Sequence, residues 1–308
     1  MHKKLKSLIL TGILSAGLLS GCGDKDSGNT IKIAYLPITH SLAVLEEAEE
    51  LEKESGIKVE LVKFGSWSEL LDALNSGRVD GASVLIELAM KSKQEGVGLK
   101  AVALGHHDGN VIVVSDNINS AEDLKGKTFA IPHRQSSHNI LLNDALAKGG
   151  LTIDDINVTE LAPTEMPSAL ASGQIDGYCV AEPFGAMGVS INAGKVLYSS
   201  EELWENSICC GLVLTDSFIE KRPEDAKSFV ENYKKAGNNL DKETAKATVK
   251  KYFSQSDEVL DTSLQWISFN DLGITENTYN ILTEKVKNYG LSDNPPTYSD
   301  FVKNDWSD

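Results

Sequence analysis

The sequence predicts an α/β fold built from two similar lobes, one inserted in the other. Four observations carry this. The segment Ala73-Leu74-Asn75-Ser76-Gly77-Arg78-Val79-Asp80-Gly81 returns 96 residues later as Ala169-Leu170-Ala171-Ser172-Gly173-Gln174-Ile175-Asp176-Gly177. The same offset lays Ile33-Ala34-Tyr35 over Phe129-Ala130-Ile131. Between and after the copies, short apolar runs alternate with helical patterns of about 10 residues, the signature of βαβ units and parallel sheets. Finally, Val111-Ile112-Val113-Val114-Ser115-Asp116 and Gly211-Leu212-Val213-Leu214-Thr215-Asp216 are matching extended runs that end in a hydroxyl residue and Asp. They read as two strands crossing between lobes, which makes 31–114 plus 211–308 lobe one and 115–210 lobe two.

The elements follow in order. Ile31 to Leu36 is a buried strand ended by Pro37, and Ser41 to Lys53 a helix with Leu42, Leu45, Ala48 and Leu51 on one face. Val59 to Phe64 alternates as a strand, Trp67 to Leu74 is a helix closed at Gly77, and Val79 to Ala82 is a short strand. Leu85 to Lys93 and Leu99 to Leu104 complete the first unit. The second runs through strands at Thr128 to Ile131, Val158 to Leu161, Ile175 to Val180 and Gly194 to Tyr198. Helices Ala121 to Leu124, Ser137 to Ala147, Pro167 to Ala171 and Phe184 to Asn192 lie among them. Pro223-Glu224-Asp225 opens a helix with Pro and acids in its first turn, and two or three more helices lead to Tyr289.

The 308 residues carry a formal charge of −16. Lys3, Lys4 and Lys6 stand in a first stretch of 21 residues without an acid; the rest holds 26 basic and 45 acidic residues, or −19. Such a surface excludes nucleic acid as a partner, because phosphate binding needs clustered cations. The basic start, the apolar run Leu8 to Leu19 and the end Leu19-Ser20-Gly21-Cys22 resemble a lipoprotein signal peptide over 1–21, with Cys22 lipidated. Acyl chains on that cysteine give stable anchoring to the bilayer, and 22–30 reads as a flexible tether. The expected place is the extracytoplasmic face of a bacterial cell membrane. Cys179, Cys209 and Cys210 remain, an odd number, and read as buried reduced thiols.

Enzyme motifs are absent: no G-x-S-x-G, no P-loop, no H-E-x-x-H and no G-x-G-x-x-G at a first βα turn. No cofactor is expected. The five histidines beyond residue 30 all follow a strand or open the next helix, at the sheet edge where α/β folds bind ligands. His40, His106, His107 and His138 are therefore candidate ligand contacts. Gly65-Ser66-Trp67-Ser68 and Arg134-Gln135-Ser136-Ser137 offer helix N-termini and hydroxyls to an anion or carbonyl-rich ligand, or simply cap their helices. A metal site from His106, His107, His133, His138 and a Cys is conceivable. No pair has zinc-ligand spacing, so no metal is expected. Asp80 and Asp176, at matching repeat positions, are expected to fix turns.

Ala162-Pro163-Thr164-Glu165-Met166 and Gly173-Gln174-Ile175-Asp176-Gly177-Tyr178-Cys179-Val180-Ala181-Glu182-Pro183-Phe184 resemble the solute-binding proteins of nitrate, bicarbonate, sulfonate and taurine ABC importers. Leu203-Trp204-Glu205-Asn206 with Cys209-Cys210-Gly211, and Phe218 to Glu224, are also similar, so the resemblance covers about 31 to 240. It implies the type II periplasmic-binding-protein architecture: two Rossmann-like lobes, two crossing strands, C-terminal helices, and closure on a small solute handed to a membrane permease. It also implies ligand contacts in the loop around Trp67 with Ser66, at the helix start Gln135, Ser136, Ser137 and His138, at Ala181 beside Glu182, and just after Trp204; Cys209 and Cys210 are further candidates, and Arg134 is the remaining cationic one. The nitrate and bicarbonate branch has a Lys near Cys210, whereas this chain has none between Lys195 and Lys221. The expected solute is an organosulfonate or related oxyanion. The alternatives are a heterocycle such as a thiamine-pyrimidine precursor or flavin, an enzyme of the same fold, and a sensory lipoprotein.

Overall fold

The computed structural model describes residues 29–306. The signal segment, Cys22 and most of the tether lie outside the described residues. The strands are β1 (Thr30–Tyr35), β2 (Lys58–Lys63), β3 (Gly81–Leu85), β4 (Leu99–Leu104), β5 (His107–Asp108), β6 (Asn110–Val114), β7 (Thr128–Ile131), β8 (Asn157–Glu160), β9 (Gly177–Ala181), β10 (Lys195–Ser199), β11 (Cys210–Thr215) and β12 (Ile267–Ser268). They form two five-stranded sheets, ordered β2-β1-β3-β11-β4 and β10-β6-β9-β7-β8, with β5 and β12 paired as a small ribbon.

Each sheet takes a strand from the crossing connections. β1 lies parallel to β2 and β3, and β11 runs antiparallel between β3 and β4. In the second sheet β7 lies parallel to β8 and β9, and β6 runs antiparallel between β9 and β10. The sequence places 111–114 in lobe one, but the ladder hydrogen bonds of β6 are all with the second sheet. The chain has therefore already crossed at Asn110, and it returns at Cys210. β3 and β11 are buried along their whole length, as expected of strands covered on both faces.

The repeat is architecture. Ile33 pairs with Gly81 and Ala34 with Ala82; 96 residues on, Phe129 pairs with Gly177 and Ala130 with Tyr178. The Asp80 carboxylate accepts the Lys32 N–H at 2.8 Å, and Asp176 accepts the Thr128 N–H at the same distance. The Asp80 and Asp176 carbonyls then accept Thr215 and Ser115 N–H, both at 2.9 Å. Each Asp thus ties a parallel strand to the crossing strand. A Cβ on Gly81 would lie 2.7 Å from the Val213 carbonyl oxygen, and one on Gly177 would lie 2.8 Å from that of Val113. Only glycine admits that approach.

The C-terminal helices brace both lobes. Pro223–Asn239 packs on Leu42–Ser55 of the first lobe. Glu276–Asn288 reaches the second, where Lys285 pairs with Asp144 at 2.8 Å and the Tyr289 hydroxyl donates to the same carboxylate at 2.5 Å.

Candidate functional site

The seam between the lobes holds a concentration of buried polar groups. His40 lies in the short 3-10 turn Thr39–Ser41 that joins β1 to the helix Leu42–Ser55. His106 follows β4, Asn110 opens β6, and Cys209 and Cys210 stand where β11 begins. All five are buried, with exposures of 0–1%.

His40 Nδ1 lies 3.7 Å from Cys209 Sγ and 3.6 Å from Cys210 Sγ, and the two sulfurs are 3.9 Å apart. On the other side of the ring, Nε2 lies 3.1 Å from the Gly109 carbonyl oxygen. That contact places the ring proton on Nε2 and leaves the Nδ1 lone pair facing the sulfurs, the arrangement by which metal-binding histidines are oriented. Gly109, at φ +82°, turns its carbonyl inward, where it also accepts the Glu182 N–H at 3.0 Å. The His106 ring stacks on His40 with centroids 3.4 Å apart and planes 24° from parallel. One donor atom from each of His40, His106, Cys209 and Cys210 lies within 4.8 Å of the others.

Burial raises the Cys209 thiol, but the Cys210 thiol and the His138, His40 and His106 rings outweigh it and hold Cys209 well below the ordinary thiol range. Burial and the Cys209 charge keep Cys210 protonated. Burial lowers His106 and His138 to about 4, so both rings are neutral at physiological pH and have lone pairs to give. Glu87, buried in the helix Ile86–Gln94, is raised by burial and then by Cys209.

Several of these groups lack partners. Both ring nitrogens of His138, His106 Nδ1, Asn110 Nδ2, Ser137 Oγ and both Glu87 carboxyl oxygens are buried without a hydrogen bond. An unpaired buried polar atom costs about 1–3 kcal/mol, so such a gathering calls for a ligand.

The remaining expected contacts divide. Ser66 and Ser136 cap their helices, accepting the N–H of Glu69 and Asn139 at 3.3 Å each. Trp67 is buried beside Pro132, His133 and Glu160, outside the His–Cys cluster. Arg134 is exposed, and its guanidinium donates to the Val158 carbonyl at 2.8 Å rather than turning into the seam. Gln135 donates to the Leu291 carbonyl at 2.5 Å. His107 lies on the small ribbon with its Nε2 3.1 Å from the Asp271 carbonyl, and His133 accepts the Gln135 N–H at 2.9 Å. Neither joins the cluster. Ala181 pairs with Asn110, and the Glu182 carbonyl accepts both the backbone N–H and the hydroxyl of Thr39. Cys179, Cys209 and Cys210 are free thiols, all buried.

The sequence predicts no metal centre because no two donors share a ligand spacing. The fold assembles them from three distant segments instead. Asn110 and Glu87 were missed; Asn110 is a lone polar residue at the edge of an apolar run, and Glu87 interrupts one. Lys63 was missed too. It borders a groove of about 460 Å³ walled by Leu36, Ile38, Phe64 and Phe184, with residues from both lobes.

A family model described as the NMT1-like family matches residues 24–254. The nitrate import ATP-binding protein NrtC of Synechocystis sp. is 27% identical over 280 residues, which are 82% of this chain and 42% of that protein. The taurine-binding periplasmic protein of Escherichia coli is 32% identical over 208 residues, 66% of this chain and 63% of that one. The chain thus spans less than two thirds of either relative. A crystal structure of the ligand-binding component of an ABC-type import system from Staphylococcus aureus, with zinc bound, is 42% identical, with a TM-score of 0.87. The match covers 90% of this chain and 97% of that one.

Proposed function

The chain belongs to the NMT1-like family, and on that premise we propose that it is the extracytoplasmic solute-binding component of an ABC importer, tethered through Cys22, whose solute is a thiophilic transition-metal ion. The ion is held by Cys209, Cys210 and His40 and passed to a membrane permease. One observation carries this reading: the triangle of Cys209 Sγ, Cys210 Sγ and His40 Nδ1, with edges of 3.9, 3.7 and 3.6 Å. Bonds of about 2.3 Å to sulfur and 2.0–2.1 Å to nitrogen at tetrahedral angles give edges of roughly 3.8 Å between sulfurs and 3.5–3.6 Å between sulfur and nitrogen. The three donors form one face of such a tetrahedron.

Charge supports the same choice. Two ionised cysteines neutralise a divalent ion, and the neighbours that hold the Cys209 thiol well below its ordinary range favour a cation over an anion there. Thiolate and imidazole donors suit zinc and copper(I) rather than magnesium or calcium. That the Staphylococcus aureus relative was solved with zinc bound supports the same class of ion.

A second reading keeps the organosulfonate. The groove beside Lys63 pairs apolar walls with a cation at its rim, and the taurine-binding relative belongs to that class of binder.

Thermal unfolding of the metal-depleted, reduced protein separates the two. Zinc or copper(I) at 100 times its Kd should stabilise by about 2.7 kcal/mol, and Cys209→Ser should abolish the shift. Stabilisation by taurine or an alkanesulfonate, lost in Lys63→Ala, with no response to either ion, overturns the metal reading in favour of the second.

A further inference from the structure

The three donors leave a fourth position, and His106 is badly placed to fill it. A ring nitrogen binds along its own ring plane. The His40 and His106 rings are stacked at 3.4 Å and tilted by 24°. Planes so arranged do not meet within a nitrogen–zinc bond of about 2.1 Å. His106 Nε2 also accepts the Cys210 backbone N–H, at 3.4 Å. His106 therefore backs His40 and cannot bind the same ion beside it.

His138 has the opposite character. It is the second residue of the helix Ser137–Lys148, which follows β7 in the second lobe. Its ring is 1% exposed, and neither nitrogen has a partner. It lies outside the set of four donors, yet it sits near enough to Cys209 and His40 for both to act on it. An imidazole buried with two idle nitrogens near Cys209 at the seam is costly as scaffold and apt as a ligand. The other three donors all belong to the first lobe or to the strand that returns to it.

We propose that His138 is the ligand the second lobe supplies. The ion first sits on Cys209, Cys210 and His40, and closure of the second lobe brings His138 onto the open fourth position. Capture and closure are then one event: the closed form binds the ion better by the added bond, and that difference shifts the lobes. Ser137 Oγ and Asn110 Nδ2, idle and buried beside the same seam, are free to donate hydrogen bonds around the completed site. This inference rests on the ion reading above and adds the residue that couples the ion to lobe movement.

X-ray absorption of the zinc-loaded protein tests it, with chelator competition and small-angle scattering on the same samples. Wild type should show two sulfur and two imidazole donors and contract on zinc binding. His138→Ala should show two sulfurs and one imidazole, lose about tenfold or more in affinity, and fail to contract. His106→Ala should keep both imidazoles. Metal-free His138→Leu should melt no lower than wild type, because the ring has no partner to lose. Two imidazoles retained in His138→Ala, or unchanged affinity and contraction, overturns the proposal. Should the His138 variants fail to fold, a drop to one imidazole in His106→Ala overturns it instead. Wild-type protein that takes up neither zinc nor copper(I) removes the ion reading and this one together. Zinc uptake that depends on Cys209 but not on His138 removes this one alone.

Discussion

Thr39 donates both its backbone N–H and its hydroxyl to the Glu182 carbonyl, at 3.0 and 2.9 Å. Thr39 belongs to the first lobe and immediately precedes His40, whereas Glu182 belongs to the second lobe and immediately follows β9. The pair joins the lobes one residue from the His–Cys triangle, so the position of His40 depends on the contact between lobes.

Thr39→Val keeps the shape and removes one of the two donors. It should cost about 1 kcal/mol in thermal unfolding, the usual net worth of a buried hydrogen bond. Small-angle scattering of the metal-free protein should show a larger radius of gyration than wild type.

Zinc binding should release protons. Burial and Cys209 hold the Cys210 thiol protonated, and a ligand sulfur must be ionised. Affinity should therefore rise with pH by about tenfold per unit for each proton displaced. Calorimetry in buffers of different ionisation enthalpy counts those protons. Cys210→Ser should reduce the count and lower affinity by more than about 100-fold, beyond the 10–100-fold that supporting residues alone cost.

Glu182 makes stability depend on pH in a stated direction. Burial raises its carboxyl to about 7, partly offset by hydrogen bonds from the Ala186 and Gly185 N–H groups. The folded protein keeps a proton that the unfolded chain releases near 4.5. The contribution is full below that pH and is lost as pH rises through about 7, on the order of 3 kcal/mol in all. Denaturant unfolding of Glu182→Gln should match wild type near pH 4 and exceed it at pH 8.

The two strand glycines should be intolerant where other glycines are not. In Gly177→Ala the new methyl meets the Phe129 ring at 2.5 Å and the Val113 carbonyl oxygen at 2.8 Å. A loss of about 1–3 kcal/mol is expected for such overpacking. Gly65→Ala, with nothing within 4 Å of the added carbon, should stay within about 0.5 kcal/mol of wild type.

The fold was legible because its devices are local. Asp80 and Asp176 announce the same clasp at the same offset, and Gly77 and Gly173, at φ +68° and +71°, end equivalent helices. The crossing strands were legible as apolar runs, but not the sheet each would join, since an apolar run does not name its neighbour. Periodicity set the third strand at Val79 to Ala82, whereas the structure begins it at Gly81, because Asp80 is engaged with Lys32 and Thr215. The site was less legible. Ser66, Ser136 and Arg134 are committed to their own backbone surroundings, uses that sequence cannot tell from ligand binding. His40, His106 and the cysteine pair were each singled out, but their meeting depends on tertiary packing across 170 residues of chain.

Successive side chains of a regular strand point to opposite faces. Cys209 and Cys210 nonetheless both reach His40, because Cys209 stands just before β11 while Cys210 pairs with Leu85 as its first residue. The pair works as a register mark. A one-residue slip of β11 against β3 and β4 would send one sulfur to the other side of the sheet while leaving every histidine in place. The register of β11 is therefore what the chain must hold constant to keep two neighbouring thiols against His40 Nδ1.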